Sequence, residues 1–233
     1  MVAFLINEDQ VEIKSINNPL QETMWQGFRF GPGSPFDVLE ENFWDYVAAD
    51  WVVTETAGGA TQALADEAGG VLLLTNTGTE DDILGMQKVK ESFQAISGKT
   101  LYFEIIFKAS EATEMDWMVG LCDRDTGLPL ATPSDGIYFR KDDADANIDC
   151  GCSKSSVESV EAAAATFTAS TYLTLGFKVI GTSKVEFWKD GSKIATITTS
   201  VPTTELCLTF TMAAGSTDVR TMNVKKITVA QQR

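Results

Sequence analysis

Histidine is absent from this chain of 233 residues. Its absence excludes Ser-His-Asp triads, Cys-His dyads and every metal site that needs an imidazole ligand. Chemistry that depends on carboxylates is still possible, because the sequence has 33 aspartate and glutamate residues.

Basic residues are scarce, and long apolar runs are missing. The 18 lysines and arginines leave a formal net charge of −15 and a pI near 4.3. Nucleic acids and anionic membrane surfaces bind proteins that present a positive face. We therefore expect neither as a partner, and no apolar run reaches the roughly 18 to 20 residues of a membrane span.

Cysteine is limited to four residues, Cys122, Cys150, Cys152 and Cys207. The beginning of the chain, MVAFLINEDQ, lacks the charged and long apolar regions of a signal peptide. We therefore expect free thiols in a reducing compartment. A disulfide across the single residue between Cys150 and Cys152 would be strained. The spacing also fits a four-cysteine zinc site poorly, because such sites use C-x2-C pairs.

The first 36 residues differ from the rest, and the total length suits one β-rich domain or one domain with an arm. Residues 24–36 (MWQGFRFGPGSPF) place aromatic side chains beside a Gly/Pro cluster that breaks regular structure. We interpret residues 1–36 as an N-terminal arm and 37–233 as a sandwich domain. The aromatic side chains of the arm need a surface to cover them, namely a different protein, a sister subunit or the chain's own sandwich: Trp25, Phe28, Phe30 and Phe36.

From residue 43 onward, short alternating runs between turn residues predict about twelve strands and little helix. The clearest strand, 100–110, has Leu101, Phe103, Ile105 and Phe107 on one face. Residues 184–189 and 192–198 flank Asp190-Gly191, a signal for a type I′ hairpin. The other predicted strands are 50–56, 70–75, 116–123, 136–141, 147–153, 156–161, 171–180, 206–213 and 221–230. Residues 158–165 are compatible with a short helix, a loop or a ragged strand.

Residues 172–177 (YLTLGF) and 184–196 (KVEFWKDGSKIAT) resemble the late hairpin of concanavalin A-like lectin and glucanase sandwiches. The strands around 101–108 and 117–121 resemble the middle of the same jelly roll. The resemblance covers roughly residues 43–232 and implies an all-β protein, an antiparallel jelly-roll β-sandwich with an extended N-terminal arm. Lectins, laminin-G-like modules, glucanases and polysaccharide lyases share this fold, so it implies no single function.

Four phrases are similar to structural proteins of tailed phages: 57–61 (AGGAT), 70–75 (GVLLLT), 116–121 (DWMVGL) and 135–143 (DGIYFRKDD). The ending 228–233 (TVAQQR) fits the same group. This resemblance implies a capsid decoration, or cement, protein, made in the cytoplasm of a bacterial host and carried on the outside of the virion. Its partner would be the major capsid protein, whose subunit contacts it would stabilise. A carbohydrate-binding, lectin-like module on the virion surface is the alternative.

Catalysis by a glucanase of this fold needs E-x-D-x-E or E-x-D-x-x-E on one strand, with one carboxylate as nucleophile and one as acid/base. Glu114 and Asp116 begin this pattern, but Met118 and Val119 occupy the two possible closing positions. We place Glu104 on a neighbouring strand, although nothing fixes it near Glu114. We therefore expect that the chain is not an enzyme and has no catalytic residue. A glucanase- or lyase-like enzyme is the third possible function.

Alternating oxygen-bearing side chains make one segment a weak calcium candidate: Asp143, Asp145, Asn147 and Asp149. On an extended chain they lie on one side and supply half of the six to eight oxygens that calcium takes. However, Ile148 and Lys154 replace the glycine and the bidentate glutamate of an EF-hand loop. The favoured interpretation is a solvated acidic hairpin, so we expect no metal and no cofactor.

Exposed aromatic rings would indicate a sugar site, and four tryptophans are candidates: Trp44, Trp51, Trp117 and Trp188. Trp117 is in phase with Val119 and Leu121, which predicts a core position. Trp188 is out of phase with Val185 and Phe187, which predicts an outward position or one across a sheet edge. Nothing in the sequence predicts three aromatic residues on one surface.

Charge is unevenly distributed. No basic residue lies between Arg29 and Lys88, whereas from Gly176 onward eight basic residues outnumber four acids. One interpretation is a head-to-tail contact between subunits that closes a ring, and a homotrimer fits the local threefold positions of an icosahedral shell. The other is that the two regions pair within one chain.

Overall fold

The computed structural model describes residues 2–7, 10–15, 24–30 and 33–233, and the side chains of residues 24–28 and 33–233. Three short strands near the N-terminus, β1 Val2–Asn7, β2 Gln10–Ser15 and β3 Arg29–Phe30, form an antiparallel sheet in the order β1-β2-β3. In the part of the chain that is described, the only helix is a short 3-10 turn, Ala48–Asp50. No described helix is long and apolar enough to span a bilayer.

Two large antiparallel sheets form the sandwich. The first, here called the β10 sheet, has the order β13-β12-β11-β10-β17-β8-β5. Its strands are β5 Trp51–Glu55, β8 Ile83–Lys88, β10 Met115–Cys122, β11 Gly136–Lys141, β12 Asn147–Lys154, β13 Val157–Thr166 and β17 Cys207–Ala214.

The second sheet, the β9 sheet, has the order β16-β15-β14-β9-β18-β7-β6, and β4 also pairs with β18. Its strands are β4 Phe36–Glu41, β6 Thr61–Leu64, β7 Leu72–Thr75, β9 Thr100–Ala109, β14 Leu173–Ile180, β15 Lys184–Lys189, β16 Ser192–Ile197 and β18 Thr221–Gln232. The all-β jelly-roll prediction is confirmed. The predicted boundary between residues 36 and 37 falls inside β4.

Alternating side chains of the two sheets meet in one core. On β9 the inward residues are those that the alternation predicts, and on β10 they include Trp117, which is fully buried as predicted. The Trp117 ring packs edge-on against Phe107 at 5.1 Å, and Phe103 stacks on Phe177 at 4.7 Å. Each buried large side chain contributes on the order of 2 kcal/mol, so this interface dominates the stability of the fold.

The middle of the β10 sheet is buried on both faces. On its outer face Met118, Cys122 and Tyr138 pack against Leu128, which lies in the segment that joins β10 to β11. The same segment is tied to the sheet by Gln87, whose side-chain amide donates to the carbonyl of residue 123 and accepts from the N–H of residue 125. This face is therefore closed over β10.

The acidic N-terminal region and the basic C-terminal strand meet within one chain. Because β4 pairs with β18, Glu40 lies 3.0 Å from Lys226, and Asp37 lies 2.7 Å from Arg233. These contacts match the interpretation in which the two charged regions pair within the chain. The homotrimer stays a prediction.

A substitution at Gly120 tests the register in which β10 pairs with β11. A Cβ atom at this position would lie 2.2 Å from the Ile137 carbonyl oxygen and 2.8 Å from the Tyr138 Cα. We expect Gly120→Ala to lower the free energy of unfolding by about 3 kcal/mol, because backbone atoms must separate. Chemical denaturation measures this change. The matched control is Gly127→Ala, whose Cβ would come no closer than 3.1 Å to the nearest atom, the Ala131 Cβ. A loss no larger than that of the control would contradict the register.

Candidate functional site

The carboxylates that begin the glucanase-like pattern do not form a catalytic pair. Glu114 precedes β10 and binds the guanidinium of Arg220, whose Nε also donates to the Glu114 carbonyl at 3.1 Å. Asp116 is 6% exposed and accepts the Asp143 N–H at 2.8 Å. Desolvation raises the pKa of Asp116 to about 6. The next residue on that face, Met118, is apolar and buried, so the strand presents no second carboxylate.

Glu104 lies in a different sheet from Asp116 and from the strand that Glu114 precedes. The expectation that its strand neighbours Glu114 is wrong, because β9 pairs with β14 and β18 in the other sheet. Consecutive strands of a sandwich often cross from one sheet to the other, and alternation within a strand carries no information about which sheet it joins.

The acidic hairpin directs its side chains toward separate partners. Asp145 accepts the backbone and side-chain N–H groups of Asn147 at 2.9 and 2.7 Å, and Asp149 accepts the Ala163 N–H at 2.8 Å. Asp143 offers its N–H, not its carboxylate, to Asp116. Among the described residues, no group of three or more acidic or cysteine side chains could hold a metal.

A lysine of the same chain binds two backbone carbonyl groups of this hairpin. The Lys141 ammonium is buried and donates to the carbonyl oxygens of residues 142 and 145 at 2.9 and 3.0 Å. Desolvation lowers the pKa of Lys141, although the surrounding aspartates oppose the shift. The four cysteines are buried free thiols, and burial raises the pKa of each.

The aromatic side chains of the predicted arm pack on the outer face of the β9 sheet. Trp25 stacks on Tyr102 with centroids 5.2 Å apart, Phe28 meets both rings edge-on, and Phe36 contacts Tyr102 at 5.6 Å. The Tyr102 hydroxyl donates to the carbonyl of residue 26 at 3.0 Å, which fixes the backbone of this segment. The Phe30 side chain lies outside the described residues. Binding of a partner through these rings stays a prediction, and the chain's own sheet covers Phe28 and Phe36.

A groove crosses the outer face of the β9 sheet on both sides of Trp25. One part, about 230 Å³, lies toward β18 and β4, and the other, about 130 Å³, lies toward β14 and β15. We call the two parts together the Trp25 groove. Its lining residues are Met24, Trp25, Phe28, Val38, Glu40, Glu104, Thr174, Gly176, Trp188, Gly191, Lys226 and Thr228.

Glu104 occupies the centre of the Trp25 groove, since it lines both parts. The Trp25 indole N–H donates to Glu104 Oε2 at 2.9 Å, and Oε1 has no hydrogen-bond partner in the described part of the chain. Lys226 and its partner Glu40 lie in the larger part. The groove thus combines an aromatic ring with a free acceptor oxygen, an ammonium group and a hydroxyl group.

Trp188 lies on the outer face of the β9 sheet, opposite to Val185 and Phe187, which face the core, and this agrees with its phase in β15. It is nevertheless only 4% exposed, at the end of the Trp25 groove. Beside it the register with β16 shifts, because β16 has an extra residue between Lys193 and Ala195.

Trp44, by contrast, is 70% exposed. It follows Phe43, which is buried against Trp51 and Phe210 and has a φ of +48°. A separate cleft of about 450 Å³ opens between β4, the 3-10 turn and the chain after β8. We call it the edge cleft; it is lined by Leu39, Ala49, Asp50, Lys88, Val89, Lys90, Ser92 and Phe93.

Asp116 gives a pH-dependent prediction. Its pKa is raised from 3.8 to about 6 in the folded chain, so between these values the folded state keeps a proton that the unfolded state has lost. Stability should therefore fall as pH rises through this window. Asp116→Asn keeps an acceptor for Asp143, and it should match the wild type near pH 3.5 and exceed its stability by about 2 kcal/mol at pH 7.

Thermal or chemical denaturation of both proteins from pH 3.5 to 7 measures this difference. Asp66→Asn, at an exposed position, is the matched control and should show no such trend. An Asp116→Asn effect of the same size at both ends of the range would show that the carboxyl does not titrate as described.

No protein-family model and no curated protein matches this sequence. Solved structures do resemble the fold. A protein of unknown function from Shewanella oneidensis MR-1 is 15% identical, with a TM-score of 0.59 over 84% of this chain and 87% of that one. The Bacillus licheniformis β-glucanase is 16% identical, with a TM-score of 0.57 over 84% and 98%. Peanut lectin is 12% identical, with a TM-score of 0.53 over 84% and 97%. At these identities the likeness concerns the fold alone: the chain is a concanavalin A-like jelly-roll β-sandwich.

Proposed function

We propose that this chain is a non-catalytic carbohydrate-binding module and that the Trp25 groove is its binding site. The observation that carries the proposal is the pairing of a partly exposed indole with Glu104, whose second oxygen has no hydrogen-bond partner among the residues that the structure describes. Lectins and glucanases among the structures of the same fold support a sugar as the class of ligand.

The chemistry of the groove suits a sugar. A pyranose ring has an apolar face that packs on an indole and hydroxyl groups that need donors and acceptors at its edge. Glu104 supplies an acceptor, Lys226 a donor and Thr228 both. Because the groove crosses β4, β18, β9, β14 and β15, it suits an extended glycan better than a single compact ligand.

We propose a module without catalytic activity because of the residues on β10. The strand that resembles the catalytic strand of glucanases has Met118 at a closing position, and its outer face is covered. In the Trp25 groove, Glu40 is paired with Lys226 and Glu104 with Trp25. We therefore expect binding without release of reducing ends.

The test is calorimetry against a panel of soluble neutral and acidic oligosaccharides that includes β-1,3-1,4-glucan fragments. Trp25→Ala should weaken binding of the best ligand at least about tenfold. Glu104→Gln keeps an acceptor for the indole N–H but loses the charge, and should weaken binding by about fivefold. Trp44→Ala is the matched control outside the groove and should keep wild-type affinity per chain. Wild-type affinity in folded Trp25→Ala, or no binding to any glycan, contradicts the proposal.

We also propose capsid decoration as a second candidate, on the support of the four phrases that are similar to tailed-phage structural proteins. Two of these phrases lie largely within β10 and β11, and one covers β7, so they describe the scaffold more than a binding surface. Decoration would place the module on the virion, where it would bind the major capsid protein, and is compatible with a glycan site that faces outward.

Mass spectrometry of gradient-purified particles of the virus that encodes this chain tests decoration. The chain should be present at a fixed ratio to the major capsid protein and should stay bound after a salt wash. Its absence from intact particles would rule out the decoration proposal and leave the glycan proposal unaffected.

A further inference from the structure

A row of outward-facing residues lies along the Trp25 groove. The strand registers place them side by side in the order Glu40 on β4, Thr228 on β18, Glu104 on β9, Gly176 on β14 and Trp188 on β15. All five line the groove. Because Gly176 has no side chain, the row is interrupted between the carboxylate and the indole. The smaller part of the groove, about 130 Å³, lies at this interruption.

Glu104 carries the charge of this smaller part, since none of the other described residues that line it is ionisable. Lysines flank it on both adjacent strands, but each is engaged elsewhere. Lys226 is paired with a glutamate of β4 at 3.0 Å, and Lys178 donates to the carbonyl of residue 26 at 2.9 Å. Within the described part of the chain the Glu104 carboxylate accepts the Trp25 N–H and forms no ion pair. A half-buried carboxylate without a counter-ion favours a cationic ligand.

Aromatic and apolar side chains surround this carboxylate. Trp25 and Trp188 both line the smaller part, and Met24 lies against Gly176, where a Cβ atom would be 2.4 Å from the Met24 Sδ. Indole rings attract cations through their electron-rich faces, and the ammonium of Lys193 already lies 5.7 Å from the Trp188 ring. A volume of about 130 Å³ is well below the roughly 300 to 1,000 Å³ of a pocket that encloses a whole small molecule. The smaller part therefore suits one sugar unit or one of its substituents.

The charge of the whole chain acts in the same direction. A formal net charge of −15 raises the local concentration of cationic ligands and opposes the approach of anionic glycans. This long-range attraction is screened by salt, whereas a direct contact with a half-buried carboxylate is screened much less. Selectivity that persists at physiological salt therefore indicates the direct contact.

We propose that the ligand of the Trp25 groove is a cationic glycan, and that the smaller part of the groove holds the ammonium group of an amino sugar that lacks its N-acetyl group. The inference rests on the proposed glycan site. The apolar face of the sugar packs on Trp25, and the ammonium group at the ring edge donates to Glu104 Oε1. An N-acetyl group at the same position has no charge and is larger.

Three tetrasaccharides with the same β-1,4 linkage test the proposal, because their units differ only at C2: glucose, glucosamine and N-acetylglucosamine. Calorimetry with the full chain at about pH 5.5 and about 150 mM salt gives the affinities, with the glucosamine amine protonated. The glucosamine oligomer should bind about tenfold more tightly than the glucose oligomer, and the acetylated oligomer no more tightly than the glucose oligomer. At about pH 8.5 the amine loses its proton, and the ratio of the first two affinities should approach one.

A conservative substitution identifies the group that reads the charge. Glu104→Gln keeps an acceptor for the indole N–H and should bind the glucosamine and glucose oligomers with about equal affinity. Glu80→Gln is the matched control, because it removes the same charge at an exposed position outside the groove. It should keep the tenfold preference of the wild type.

Two results would overturn this inference and leave the glycan site standing. One is a wild-type chain that binds the glucose oligomer at least as tightly as the glucosamine oligomer at pH 5.5. The other is a tenfold preference that persists in Glu104→Gln, which would trace the selectivity to the overall charge. Binding of none of the three oligomers also contradicts the inference, and the proposed glycan site fails with it only if the wider glycan panel gives no binding either.

Discussion

The pairing of β18 with β9 is the contact on which the rest of the structure depends. It places the C-terminal strand in the middle of a sheet, over a register from Met222 opposite Ala109 to Gln231 opposite Leu101. The other edge of β18 then receives β7 and β4. The groove floor and one wall of the edge cleft both depend on this arrangement, since β18 provides Thr228 and β4 provides Leu39.

A β-bulge in β18 allows this strand to place apolar side chains in the core and a lysine in the Trp25 groove. The register shifts between Val224 and Lys226, so the two consecutive lysines both stay outside the core while Val224 and Ile227 face into it. Regular alternation would have buried one ammonium group or expelled Ile227, and an unpaired buried charge costs several kcal/mol. The displaced Lys226 reaches Glu40 and enters the groove.

The alternation of apolar and polar side chains predicted those strands that have one apolar and one more polar face. β9 and β14 were located almost to the residue, and the Asp190-Gly191 turn has the two positive φ values of a type I′ hairpin. β8 was missed because nearly all of it is buried and shows no period, and β4 and β6 were missed because they are short edge strands. Residues 157–166 form a strand despite their run of alanines, because pairing with β12 outweighs the helical preference of alanine.

The candidate site was only partly predictable. The arm aromatics and Trp44 were identified as candidates by residue type, but their surroundings come from contacts distant in sequence. Trp25 is 79 residues from Glu104, and no pattern in either segment indicates that they meet. In the calcium candidate, by contrast, the sequence pattern suggested a site that the structure does not assemble. Its four acidic or amide side chains alternate as a calcium-binding segment requires, but their hydrogen bonds run to different groups.

The central claim is that a glycan binds at the Trp25 groove, and a titration followed by the NMR signals of the five indole N–H groups tests it most directly. The account predicts that the Trp25 signal moves in proportion to bound oligosaccharide, because its N–H is hydrogen-bonded to Glu104 inside the groove. The signals of Trp51 and Trp117, which are buried in the core, and of exposed Trp44 should stay in place. A saturating glycan that moves the Trp44 signal and leaves the Trp25 signal unchanged would contradict the account.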